Sequence, residues 1–330
     1  MLQTRRALVG LVAALALGAC ATAQTTSAPP APSRVEHFVV ASPEQAAPIF
    51  TSEDEFMRAV TPADISIRTR SSSTSRADLV TTYANAFVPW TDAERARLEA
   101  MLARQSARLE SLQRWLPAQV LLVKSNGAAD TALPHTRGNA INMGQQLPAE
   151  DGALDGLFFH ELFHVLSRNN ASRHDEMYAL IGFVPCDVTL PDAVRETTVT
   201  NPDAPLLRWA APLDANGRYV VPVLFANPPR WDPAQPQFGR YFNLRFLQAS
   251  NASGRCAVTI ENGQPVDVPQ QQAVAAMHAV AGANTNYVLH AEELLADNFS
   301  QLFLISALGA SRDTVPSPEI LEKMRRILFH

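Results

Sequence analysis

The sequence predicts an α+β domain, and three observations carry that prediction. Residues 157–166 (LFFHELFHVL) are apolar nearly all round, the composition of a helix buried at a domain centre. Two strand-like segments precede it, residues 119–124 (QVLLVK) and 139–144 (NAINMG). Between residues 183 and 259, short apolar runs broken by Pro and Gly (VVPVLFANPP, RYFNLRFL, CAVTI) read as a β-rich insert, after which helical spacing returns. The expected order is a mixed sheet leading into a central helix, a long β-rich insert and a closing helical part.

Taken in order, the chain opens with Arg5 and Arg6, an apolar stretch from Ala7 to Leu17, and Leu17-Gly18-Ala19-Cys20. This resembles a bacterial lipoprotein signal, which implies that residues 1–19 are removed and that Cys20 is acylated, anchoring the protein to a membrane of the cell envelope. The apolar stretch is too short to span a bilayer, and TRRALVG fits twin-arginine export poorly, so general secretion is expected. Ala21 rather than Asp follows Cys20, which by the sorting rules of Gram-negative bacteria implies the outer membrane and leaves open the periplasmic or outward orientation. Residues 20–33 form a flexible tether, made after Cys20 of Ala, Thr, Ser, Gln and Pro.

The folded domain is expected over residues 34–330. Residues 34–90 read as mixed and loop-rich. Thr91-Asp92-Ala93-Glu94 is a capping box that opens a charged helix reaching about Leu112. The two strands and the apolar helix complete an N-terminal lobe ending at residue 168. Residues 169–287 form the insert and residues 288–330 the helical part. Its helices run from 288 to about 308 and from 318 to 329, the second opened by Ser317-Pro318-Glu319.

The formal charge of −5 moves to −7 once the signal, which holds two Arg and no acid, is removed. No Lys/Arg cluster remains to follow a phosphate backbone, which excludes nucleic acid as a partner. Of three Cys, lipidation of Cys20 leaves Cys186 and Cys256. In an oxidising envelope they are expected to form a disulfide, contributing about 4 kcal/mol in the loop-closure model; two buried free thiols are the alternative. Without C-x-x-C spacing they do not read as zinc ligands.

Chemistry enters at His160-Glu161-Leu162-Phe163-His164, an H-E-x-x-H pattern. On a helix, positions i and i+4 share a face, so both imidazoles can reach one zinc ion while Glu161 is placed as general base for an activated water. Three ionisable groups in an apolar helix are costly unless they bind something. A hydrolytic zinc needs a third protein ligand, and Ser167 and Asn170 stand where the metzincin pattern requires Gly and His. Residues 290–299 (HAEELLADNF) set His290, Glu293 and Asp297 at i, i+3 and i+7, and Glu293 is the only Glu after His164 with an Asp four residues later. The spacing leaves Glu293 and His290 both open as the third ligand.

These motifs resemble those of the gluzincins, the thermolysin-like zinc peptidases. The resemblance implies a zincin-like core that binds one Zn²⁺ per chain through His160, His164 and Glu293, with Asp297 orienting a ligand histidine. It implies hydrolysis of peptide bonds in a peptide or protein of the envelope, with Tyr287 or His290 as donors to the oxyanion; His174, Tyr178 and Tyr241 are also eligible. Asn139-Ala140 resembles the Asn-Ala of the substrate-pairing strand. The chain departs from the pattern at Glu292, where Asn is common, and in the sequence separation of 129 from His164 to Glu293. Two other readings stay open: a silent envelope lipoprotein using the scaffold for binding or assembly, and a hydrolase acting on a non-peptide amide. Oligomeric state is not legible.

Overall fold

Short capped helices, not loops, fill the region before residue 90. The computed structural model describes residues 37–130, 132–251, 255–307 and 315–329, so the expected signal, Cys20 and the tether lie outside it. After β1 (Phe38–Val40) come α1 (Pro43–Phe50), α2 (Glu55–Ala59), α3 (Pro62–Arg68) and α4 (Arg76–Ala84). None is long enough to show a hydrophobic period, but their caps are local: Asp54 accepts from Met57 N–H and Thr61 from Asp64 N–H, with Pro62 at the first helical position.

The first sheet is built from β1, β2 (Phe87–Val88), β3 (Val120–Ser125), β4 (His135–Arg137) and β5 (Ala140–Asn142), in the order β1-β3-β5-β4 with β2 paired to the far end of β3. β1, β3 and β5 are parallel, and β4 returns antiparallel to β5 as an edge strand. Alternation along β3 shows why the segment is apolar throughout. Val120 and Leu122 face the main core with α5 (Asp92–Leu112), whereas Leu121 and Val123 face a second core with Phe50, Phe56 and Tyr83. With both faces covered, these four positions of β3 are all apolar. The Thr91–Glu94 capping box opens α5 as expected.

The reading of Asn139-Ala140 as a substrate-pairing edge does not hold. Ala140 pairs with Leu121 on one side and Arg137 on the other, so β5 is internal, and the Asn139 amide donates to Gln119 O. The free edge belongs to β4.

Beyond α6 (Asp151–Asn169) and α7 (His174–Ala179), the insert forms a second, antiparallel sheet. It comprises β6 (Val184–Pro185), then after α8 (Asp192–Arg195) β7 (Trp209–Pro212), β8 (Arg218–Ala226), β9 (Phe242–Asn251) and β10 (Cys256–Val258), in the order β10-β9-β8-β7-β6. One face gives Trp209, Val220 and Phe246 to the main core. The other packs Val221, Val223 and Leu247 around the Cys186–Cys256 disulfide. A hairpin of β11 (Ile260–Glu261) and β12 (Gln264–Pro265) leads to α9 (Gln270–Ala281), α10 (Ala291–Ala307) and α11 (Pro318–Phe329). Residues 34–330 form one compact α+β unit. Among the described residues no helix is long and apolar enough to cross a membrane.

α6 and α10 lie against each other in the main core. Phe159 stacks on Phe303 at 4.4 Å, and Gly156 lets the helices approach: a Cβ there would stand 3.2 Å from Leu304, and Ser300 Oγ donates to Gly156 O at 2.9 Å. This contact sets the distance between the two motif-bearing segments.

Candidate metal centre

The helical periods of α6 and α10 turn His160, His164 and Glu293 toward one point. Glu293 Oε2 lies 3.2 Å from His160 Nε2 and 3.5 Å from His164 Nε2. The three residues form a group able to hold a metal ion. The other ring nitrogens are each tied to a carboxylate, which fixes ring orientation and leaves Nε2 for the centre. His160 Nδ1–H donates to Asp297 Oδ1 at 2.7 Å and His164 Nδ1–H to Glu292 Oε1 at 3.1 Å. Thr285 in turn donates its hydroxyl to Asp297 Oδ2.

Glu292, where the sequence departs from the thermolysin-like pattern, thus has a local task. Besides His164 it accepts from Ser167 Oγ at 2.8 Å and Tyr178 OH at 2.6 Å, and all four groups are buried. Both Glu292 and Glu293 sit in the first turn of α10, where the helix dipole favours negative charge.

Two residues of the insert complete the surroundings without having been singled out by motif or spacing. Asn201 donates to Glu293 Oε1 at 2.5 Å, which leaves Oε2 to the imidazoles. Asp203 accepts from Thr136 N–H (2.6 Å) and Thr136 Oγ (2.9 Å) on the edge strand β4, and a carboxylate oxygen of it lies within 4.8 Å of Glu161 and His164. No spacing rule links residues 201 and 203 to a helix some forty positions earlier.

The remaining expected residues separate. Glu161 stands at the site, buried to 3% exposure, and among the described residues neither its Oε2 nor His164 Nε2 has a hydrogen-bond partner. Tyr287 is 43% exposed with its ring 6.0 Å from that of His160. His290 is not on the ligand face. It precedes α10, where its Nδ1 accepts from Glu292 N–H as a helix cap, and its ring packs between Tyr178 and Trp209. The expectation that His290, Glu293 and Asp297 share one helical face therefore holds for the last two only, and Glu293, not His290, is grouped with the two histidines.

The buried carboxylates and imidazoles shift one another strongly. Burial opposes charge on His160, but hydrogen bonds to Asp297 and Glu293 more than offset it and lift the imidazole to about 10. At His164 burial is likewise outweighed, by Asp203, Glu293 and Glu292. Burial, reinforced by Asp203, pushes the Glu161 carboxyl up to about 8. For Glu293 burial is overcome by the two imidazoles, which hold it well below the usual carboxylate range. Positive charge on the imidazoles balances the surrounding carboxylates, and a bound cation would supply the same balance. Comparison with protein-family models, with curated proteins and with solved structures finds no match for the chain.

Proposed function

We propose that the protein is a zinc-dependent hydrolase, a metallopeptidase with a zincin-like core of the thermolysin-like type, held in a bacterial cell envelope by lipid on Cys20. The observation that carries the reading is the convergence of His160, His164 and Glu293 with each histidine Nδ1 tied to a carboxylate. Two imidazoles and one carboxylate are the donor set of hydrolytic zinc. Those three residues would hold the ion, and zinc, when bound, supplies a Lewis acid that acidifies water and polarises a carbonyl.

The chain's own residues account for the other steps. Glu161 accepts the proton of the attacking water and returns it to the leaving amine. Asp297 and Glu292 keep the imidazoles in one tautomer and orientation, and Asn201 directs Glu293. Tyr287, the more exposed of the two expected donors, is free to reach a tetrahedral oxyanion, whereas His290 is engaged as a helix cap. Glu161 also favours hydrolysis over a silent scaffold, since holding a metal would not require a buried carboxylate with an unpartnered oxygen at the same point.

The test is metal analysis and peptide hydrolysis by purified protein, wild type and Glu161→Gln. One zinc per chain in both, with turnover lower by several orders of magnitude in the variant, is expected. Absence of stoichiometric zinc after reconstitution sinks the metal centre. Near-normal turnover of Glu161→Gln sinks the mechanism, and zinc without hydrolysis of any peptide leaves the scaffold or the non-peptide amide.

A further inference from the structure

Asn201 and Asp203 belong to a stretch of the insert that is pinned along its length. The Thr200 N–H and hydroxyl bond to the Asp64 carboxylate at 3.1 and 2.8 Å, Arg68 Nη2 donates to Thr200 O at 2.6 Å, and Thr136 grips Asp203 Oδ1 through two bonds. Arg168 Nη2 reaches Pro202 O at 3.4 Å and Asp203 O at 3.5 Å. Asp64, Arg68, Thr136 and Thr200 are themselves buried. A segment held this way is a wall of the site, not a lid.

The wall carries a carboxylate beside the centre, grouped with Glu161 and His164 in a second set able to hold a metal ion. Asp203 lies outside the His160–His164–Glu293 set, and its Oδ2 takes no hydrogen bond among the described residues. Five carboxylates surround the site: Glu161, Asp203, Glu292, Glu293 and Asp297. Glu161, 3% exposed with an unpartnered oxygen, faces the same space as Asp203. A cavity of about 470 Å³ opens beside Asp203, Asn201 and Tyr287, with Leu224, Phe242 and Leu244 in its walls. Low-dielectric walls around an excess of one charge focus the field on a ligand of the opposite sign.

We infer that Asp203 is the specificity-determining residue of this site and selects substrates that carry a positive charge beside the bond to be broken, either an N-terminal α-ammonium or a basic side chain. The inference rests on the hydrolase reading. The ammonium donates to Asp203 Oδ2 while the apolar part of the same substrate residue occupies the adjoining cavity. Charge-assisted bonds of this kind correspond to about 10- to 100-fold in affinity.

The experiment uses the zinc-loaded full chain in detergent and matched peptides that differ only in a free or acetylated N-terminus, or only in Lys or norleucine. Wild type is expected to favour the charged member by about 10- to 100-fold in kcat/KM; the pair that shows it identifies the source of the charge. Asp203→Asn should bring the ratio to within about 3-fold, and Asp203→Glu should retain it. Fluorescence anisotropy with Glu161→Gln reads the same ranking without turnover, so preferential binding there, with no cleavage by wild type, keeps the inference and overturns the hydrolase reading alone. Equal treatment of both members by wild type, or an unchanged ratio in Asp203→Asn, overturns the inference. Loss of zinc from Asp203→Asn also overturns it, because Asp203 would then be a ligand.

Discussion

Removing Glu292 should cost stability as well as metal affinity. Its carboxylate accepts from His164 at 3.1 Å, Ser167 at 2.8 Å and Tyr178 at 2.6 Å, and these three donors are 1%, 1% and 2% exposed. Glu292→Ala strands all of them beyond the reach of water, at about 1–3 kcal/mol for each buried donor left unmade. Coupling within one network and relief from burying the carboxylate reduce the sum to about 3–5 kcal/mol. At roughly 2–3 °C per kcal/mol for a domain of this size, the midpoint should fall by about 10 °C. Glu292→Gln keeps the shape and one acceptor oxygen, so its loss should be only about 1–2 kcal/mol. Unfolding should be followed in chelator-treated protein, where zinc does not contribute, with a parallel zinc titration in which Glu292→Ala binds about 10- to 100-fold more weakly. An alanine variant within 1 kcal/mol of wild type, or no worse than the glutamine variant, would refute the shared-acceptor role.

Further outcomes follow from the same geometry. Glu293→Ala should abolish most zinc binding while Asp297→Ala weakens it about 10- to 100-fold, as measured by chelator competition; equal losses would mean that Asp297 ligates directly. In metal-free protein the raised His160 value contributes stability that is fully present below its ordinary 6.5 and lost as pH rises through about 10. Zinc must displace that proton, so affinity should increase between pH 6 and 9 with proton release seen by calorimetry in buffers of different ionisation enthalpy; a pH-independent affinity would contradict the assignment. Replacing Cys186 and Cys256 together by Ser should lower stability by about 2–4 kcal/mol in equilibrium unfolding under non-reducing conditions, and no change would show that the bridge adds nothing to the packing of the second sheet.

Legibility varied with how local the determining physics was. The i, i+4 spacing of His160 and His164 and the Glu293/Asp297 pair were readable because a helix converts spacing into a common face. β3, α5 and α11 were readable because they carry their own period or caps. The short helices before residue 90 were not, since one or two turns hold too little pattern and their identity lies in buried contacts such as Phe50 against Phe87. His290 was misplaced by treating the helix as though it began one turn early, when the imidazole is the cap that starts it. Ala140 was misassigned because strand order depends on pairing partners distant in sequence. Asn201 and Asp203 were invisible for a related reason: a loop residue enters a site through tertiary contacts alone.

The grip of Asn201 on Glu293 has an evolutionary consequence. In many enzymes the loops that choose a substrate can drift while the catalytic scaffold stays fixed. Here only Pro202 separates the side chain that steers a glutamate of the candidate metal centre from the carboxylate that borders the cleft. Backbone shifts that reshape one would disturb the other, so new selectivity could not be acquired on this wall without retuning the centre. Variation should accumulate instead where strands β8 and β9 line the adjoining cavity, at positions such as Leu224, Phe242 and Leu244.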